Sequence, residues 1–162
     1  MSVTVFLGLG GNHDNSEELL KIALRKIGEL ATKIVATSSF YQTPPWGFEA
    51  DNDFINCVVE IEYTGHAEEL LTAINALEAE MGRIRTGEGY ASRPMDIDIL
   101  YFGNQVITND VLDIPHPRMY HRNFVMHPLH EIAPNWIDPL QNKTVKELFE
   151  KCEDDSEIIA LS

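Results

Sequence analysis

Met95-Asp96-Ile97-Asp98-Ile99-Leu100-Tyr101-Phe102 begins as a strict alternation of apolar and acidic residues, and its apolar members are β-branched or long. A period of two in such residues predicts a strand with one apolar face, and both carboxylates then point the same way. Two aspartates side by side on a strand repel each other, a repulsion that a cation between them relieves. Magnesium fits that place: it takes oxygen ligands, binds through one or two protein carboxylates and completes its shell with water and substrate phosphates. The plainer reading is a half-buried strand that turns its polar side to water, and the pair alone does not separate the two.

The charges around this strand favour the first reading. Five of the six arginines (Arg83, Arg85, Arg93, Arg118 and Arg122) lie between residues 83 and 122, where there is no lysine. The same window holds five acids, so it is neutral, and the formal net charge of −14 arises in the rest of the chain. Guanidinium groups offer a planar fork of donors to phosphate oxygens, so paired aspartates ringed by arginines read as a site for a metal-bound polyphosphate. Pairing of those arginines with those same acids is the structural alternative.

Outward from this strand, the order of elements follows from periodicity. Residues 3–9 read as a buried strand ending in Gly8-Leu9-Gly10-Gly11-Asn12. A dinucleotide fingerprint would need a third glycine where His13 stands, and no Gly-Lys-Ser/Thr follows for a P-loop, so these glycines predict a tight turn. Asp14 and Glu17 have capping-box spacing, and Leu20, Ala23, Ile27 and Leu30 recur at helical intervals, predicting a helix to residue 31. A second strand is predicted over 33–41, then a stiff loop through Pro44-Pro45-Trp46-Gly47-Phe48, then a third strand over 54–63. Leu70, Ile74, Leu77 and Met81 form the apolar stripe of a second helix closed by Gly82. A glycine-bearing loop leads to the acidic strand over 95–102, and Gly103-Asn104 turns the chain into a short strand near Val106.

The resulting order, β-α-β-β-α-β, is the ferredoxin-like one: an α+β fold with an antiparallel sheet and helices on one face, here with a C-terminal extension. Pro115, Pro117, Pro128, Pro134 and Pro139 divide that extension into short pieces, and Thr144 with Glu147 caps a final helix. At 162 residues and 44% hydrophobic, the chain predicts one domain over 1–162. Cys57 reads as a small core residue and Cys152 lies in an acidic tail; with no charged leader before an apolar stretch, a reducing cytoplasm is expected. The negative charge disfavours nucleic acid and anionic membrane surfaces as partners, and no apolar run approaches membrane-spanning length. None of the six histidines falls in a His-Glu-x-x-His pair, so zinc is not expected.

Ala91-Ser92-Arg93-Pro94-Met95-Asp96-Ile97-Asp98-Ile99-Leu100, with Gly82-Arg83-Ile84-Arg85 upstream, resembles the signature of the 6-hydroxymethyl-7,8-dihydropterin pyrophosphokinases, enzymes of the folate pathway. Ser38-Ser39-Phe40-Tyr41-Gln42-Thr43-Pro44-Pro45, Asp53-Phe54-Ile55-Asn56, Phe102-Gly103-Asn104, Pro115-His116-Pro117-Arg118-Met119 and Arg122-Asn123-Phe124 stand in that family's order, so the resemblance covers nearly the whole chain. It implies transfer of a diphosphate from ATP to the hydroxymethyl group of a dihydropterin, with release of AMP, by a monomer acting on small molecules. By the same match, Asp96 and Asp98 are the ligands of two magnesium ions and form the catalytic set with Arg83 and Arg93 at the phosphates. Asn75, Glu78, Ile99, His116 and Arg122 are implied to face the nucleotide, with Arg85 and Arg118 as further candidates. The pterin is implied to lie between Phe54 and Phe124, with Asn56 at its edge and the backbone of Thr43, Pro45 and Trp46 adding contacts.

Read without the resemblance, the two phenylalanines are core. The chain departs from the family pattern at Thr86, Gly89, Tyr90 and Ala91-Ser92, which implies a closing loop over 87–92 that brings fewer cations to ATP. Two other classes stay open: a ferredoxin-like module that binds a small molecule without chemistry, and a magnesium-dependent phosphoryl or nucleotidyl transferase with another acceptor.

Overall fold

The apolar opening of the chain forms strand β1 (Val3–Gly11) in the computed structural model, which describes residues 1–11, 16–43, 54–86 and 95–161, the side chains of 83–86 excepted. Helix α1 (Ser16–Leu30) follows, with Leu19, Leu20, Ala23 and Ile27 buried along one stripe. Asp14, half of the expected capping box, lies outside the described residues. Two strands, β2 (Lys33–Thr37) and β3 (Phe40–Thr43), replace the single strand expected over 33–41. Buried Ser38 makes the break. Its N–H donates to the Val58 carbonyl at 2.9 Å, and its hydroxyl accepts the Val58 N–H at 2.9 Å, where a ladder carbonyl would otherwise stand.

Strand β4 (Phe54–Tyr63) and helix α2 (Ala67–Thr86) come next. The expected stop at Gly82 does not occur. Among the described residues the positive-φ glycines are Gly65 and Gly103, so Gly82 makes no left-handed cap and the helix runs on. Beyond β5 (Asp96–Phe102), a ribbon of β6 (Ile107–Thr108) and β7 (Asp113–Ile114) leads through a 3-10 turn at Met119–His121 to α3 (Asn123–Ile132). Then come α4 (Val145–Glu150), which starts at the expected Thr144/Glu147 capping box, and β8 (Ile159–Leu161).

Helix α3 corrects the reading of short, proline-divided pieces, since it runs through Pro128. An interior proline costs ~3 kcal/mol, while burying Val125, Met126 and Leu129 at roughly 2 kcal/mol each more than offsets it.

The main sheet has the strand order β5-β1-β4-β3-β8, with β2 also on β4, and its pairs are antiparallel. This is the ferredoxin-like α+β arrangement, with β1 between β5 and β4. Strand alternation splits the core in two. Val5, Leu7, Leu9, Cys57, Val59, Ile61, Ile97 and Ile99 pack with α1 and α2 on one face. Phe6, Val58, Leu100 and Tyr101 face the other way and are covered by α3 and α4, so the C-terminal extension roofs the second face. The register between β1 and β5 shifts there: Phe6 pairs with Tyr101 and Leu7 with Ile99, leaving Leu100 as the extra residue of a bulge.

Asp138 anchors the extension to β5. It is fully buried, and its Oδ2 accepts from the hydroxyls of Tyr101 at 2.7 Å and Tyr120 at 2.6 Å. Its Oδ1 accepts from the N–H groups of Leu140 and Gln141, so the buried carboxylate is satisfied on both oxygens. Among the described residues, no helix is long and apolar enough to cross a membrane.

Candidate active site

Residues in register across an antiparallel sheet share a face, and two such rows build the site. Asp96, Gly10, Asn56 and Tyr41 form one row; Asp98, Gly8 and Val58 form the next. Gly8 and Gly10 are therefore strand residues paired on both sides, which corrects the expectation of a tight turn at Gly8-Leu9-Gly10-Gly11. A Cβ at Gly10 would overlap Asn56 Nδ2, so a side chain there would displace that amide, whereas one at Gly8 would make an ordinary contact 3.5 Å from the Leu100 methyls.

The bare backbone of Gly8 and Gly10 hollows the face beneath α3. The result is a cleft of about 600 Å³ whose lining includes Thr43, Phe54, Asn56, Asp96, Asp98 and Phe124. Leu100, His121, Arg118 and Arg122 border it as well. Two polar atoms in this wall, Thr43 Oγ1 and Asn56 Oδ1, are buried with no hydrogen-bond partner among the described residues. An unsatisfied buried acceptor costs free energy, about 1–3 kcal/mol, which a ligand donor recovers. The Arg122 guanidinium sits 5.6 Å from the centre of the Phe124 ring, so the cation and the aromatic wall hold one another. Cys57 borders the cleft, but its side chain packs in the opposite core, and burial pushes the thiol up to about 12, far from a nucleophile's range.

A second cleft of about 520 Å³ opens on the other side of the aspartates, with Leu71, Ile99, Val111, Leu112, Asp113 and His116 in its lining. Asp96, Asp98, Arg118 and Arg122 belong to both clefts. His116 Nδ1 accepts the Arg118 N–H at 3.2 Å, which leaves the ring proton on Nε2, 3.9 Å from Asp98 Oδ2. Burial draws the imidazole below its ordinary value; Asp98 opposes this, while Arg122 and Arg118 add to it. Behind the strand, buried Glu78 on α2 accepts the Ile97 N–H at 2.8 Å, fixing the residue that separates the two aspartates.

Of the residues expected from the sequence, Thr43, Phe54, Asn56 and Phe124 meet in the first cleft, Ile99 and His116 in the second, and Asp96, Asp98 and Arg122 at their junction. Asn75 is exposed on α2, one turn before Glu78, outside the described linings. Arg83 lies in the C-terminal part of α2, its side chain not described, and Pro45, Trp46 and Arg93 lie outside the described residues. Gly8, Gly10, Leu100 and His121 were not anticipated. For the glycines the signal was parity, since they alternate with Leu7 and Leu9 and so share a face with Phe6. Among the described residues, no three of His, Cys, Asp or Glu gather around one point; the donor set at the junction is two carboxylates on one strand face. Two hard oxygen donors without a closed cage suit magnesium, which keeps most of its shell for water and phosphate.

Residues 6–134 match the family described as 7,8-dihydro-6-hydroxymethylpterin-pyrophosphokinase. The chain is 37% identical over 153 residues to the 2-amino-4-hydroxy-6-hydroxymethyldihydropteridine pyrophosphokinase of Haemophilus influenzae, covering 94% of both chains. It is 37% identical over 144 residues to the enzyme of that name from Aquifex aeolicus, covering 89% of each. Among solved structures, wild-type HPPK-DHPS of Plasmodium falciparum with pterin and p-hydroxybenzoate has a TM-score of 0.75 at 17% identity, a likeness of fold. That match covers 93% of this chain and 43% of the other, so this chain spans about two fifths of its length.

Proposed function

The chain belongs to the 7,8-dihydro-6-hydroxymethylpterin-pyrophosphokinase family, a premise that makes it a folate-pathway transferase using ATP, and we propose that its two clefts divide the reaction between them. The pterin occupies the cleft of Thr43, Phe54, Asn56 and Phe124, and ATP the cleft of Ile99 and His116, with its β-phosphoryl group over Asp96 and Asp98. The observation that carries this reading is that the two clefts share those aspartates and Arg122, so that an acceptor in one lies next to a donor in the other.

The hydroxymethyl oxygen attacks the β-phosphorus and gives up its proton to water, the bond from that phosphorus to the bridging oxygen of the α-phosphate breaks, AMP leaves with that oxygen and the pterin carries away the diphosphate. Asp96 and Asp98 would hold two magnesium ions, which would supply charge neutralisation and alignment of the phosphates. The chain's own part is positioning. Phe54 and Phe124 offer faces to a flat bicyclic ring, the unpartnered Asn56 Oδ1 and Thr43 Oγ1 are acceptors for its donors, and Arg122, Arg83 and Arg93 supply cations for the phosphates. Glu78, bound to the Ile97 N–H, keeps the two carboxylates at a fixed height on β5. Residues 1–162 act as one pyrophosphokinase domain in this reading, as a monomer.

The test is to mix the protein with ATP, Mg²⁺ and 6-hydroxymethyl-7,8-dihydropterin and to separate the nucleotides. AMP is expected in step with diphosphorylated pterin, and Asp96→Ala is expected to lower kcat by about a thousandfold or more while the fold persists. ADP as the product would mean ordinary phosphoryl transfer, and near-wild-type turnover in Asp96→Ala would remove the metal assignment.

A further inference from the structure

Helix α3 carries Phe124 and follows directly on Arg122, so its placement sets one wall of the first cleft. The two ends of this helix are held differently. Near its C-terminus, Glu131 accepts from the Ser39 N–H at 2.9 Å, the Ser39 hydroxyl at 2.9 Å and the Tyr41 hydroxyl at 2.7 Å, which fastens that end to β3. At the N-terminus the cap position is Arg122, whose side chain makes no capping bond. The carboxylate that does so comes from the C-terminal tail: Asp154 Oδ2 accepts the Asn123 N–H at 3.0 Å. An anion at a helix N-terminus satisfies an otherwise orphaned donor and meets the positive end of the helix dipole.

The tail is itself braced for this contact. Asp154 Oδ1 accepts from the Ser156 N–H at 3.0 Å and the Ser156 hydroxyl at 2.6 Å, and the Asn123 side-chain amide donates back to the Ser156 carbonyl at 2.6 Å. Past this knot the chain becomes β8, which pairs with β3 at Phe40, Tyr41 and Gln42, immediately before Thr43. One short stretch of chain thus touches both walls of the same cleft, the helix with Phe124 on one side and the strand that ends in Thr43 on the other.

We propose that Asp154 is a positioning residue for the pterin half of the site, capping α3 from the tail so that Phe124 is held against the cleft. The inference rests on the assignment of that cleft to the pterin. Phe124 is a rigid ring on the first turn and its placement follows the turn, whereas the long side chain of Arg122 re-aims when the backbone shifts, so loss of the cap falls harder on the pterin than on ATP.

The experiment compares wild type, Asp154→Ala and Asp154→Asn as full chains in two measurements. The first is titration calorimetry with a non-hydrolysable ATP analogue, and then with 6-hydroxymethyl-7,8-dihydropterin on the analogue complex. In Asp154→Ala the pterin Kd is expected to rise about tenfold and the analogue's Kd by no more than about threefold, as loss of one helix cap allows. Asp154→Asn keeps an accepting oxygen; it is expected to fall between and gives the same comparison should the alanine variant not fold. The second is hydrogen exchange of the first-turn amides of α3 without ligand, expected to quicken in Asp154→Ala relative to the amides around Glu131. Equal weakening of both ligands, or unchanged first-turn exchange, would overturn the proposal. The exchange comparison needs no ligand and decides the cap by itself if the wild type binds no pterin, an outcome that overturns the cleft assignment alone.

Discussion

Gly10 is the position at which one methyl group would tell most. Its backbone is extended within β1 and accepts any residue, but a Cβ there would overlap Asn56 Nδ2, the far end of a side chain, held only by a long 3.5 Å bond to the Leu9 carbonyl. Because that end swings aside at little cost, Gly10→Ala is expected to keep the thermal midpoint within about 4 °C, yet to weaken pterin binding about tenfold by turning the Asn56 amide away. Wild-type pterin affinity in a calorimetric titration of this variant would show that Asn56 does not read the ring. The two aspartates were legible in the sequence because a period of two is a local pattern. The glycines were visible but misread, and the unpartnered Thr43 Oγ1 and Asn56 Oδ1 were invisible as such. What brings those atoms into one wall is the register of β1, β3 and β4 together, which no local spacing contains.

Strand β5 is held to β1 by its ladder and at Ile97 by Glu78, so α2 governs where the carboxylates stand. Glu78→Ala leaves the Ile97 N–H without its acceptor and is expected to lower stability in urea by about 1–3 kcal/mol and kcat along with it. Glu78→Gln keeps an accepting oxygen and is expected to restore the stability. If glutamine restored stability but not kcat, the charge itself would be engaged with the nucleotide. The elements that the sequence disclosed are those whose signal is complete within ten or so residues: β4 by alternation, α2 by its apolar stripe, α4 by its Thr144/Glu147 box. Those it hid depend on distant partners. The break between β2 and β3 comes from Ser38 reaching Val58, α3 crosses Pro128 because Phe6 and Tyr101 await its apolar face, and β8 is three residues long and exists by pairing with β3.

Across the whole molecule, charge and topology meet at the tail. Asp154 is partly buried, which alone would raise its pKa, but the Ser156 hydroxyl, the Asn123 and Ser156 N–H groups and nearby His127 outweigh this and hold the carboxyl below its ordinary value of 3.8. A group depressed on folding stabilises fully above its unfolded pKa and loses that contribution as pH falls through the folded one. The urea midpoint of the wild type is therefore expected to exceed that of Asp154→Ala from about pH 7 to about pH 5, by a margin that widens as His127 gains its proton, and the margin to shrink below about pH 4. A margin independent of pH would assign the effect to packing rather than to the carboxylate.

The bulge at Leu100 has a consequence of sidedness. Tyr101 and Phe102 are fixed by their pairing with Phe6 and Val5, one toward α3 and α4, the other toward α1 and α2. Were β5 regular from there, every residue before Tyr101 would change sides. Ile97 and Ile99 would leave the α1/α2 core, and Asp96 and Asp98 would enter it, two charges in a space with nothing to receive them. The same eight letters in the same order would then spell a buried defect in place of two carboxylates at the junction of the clefts, and the difference is a count: one residue more in β5 than in the stretch of β1 it faces.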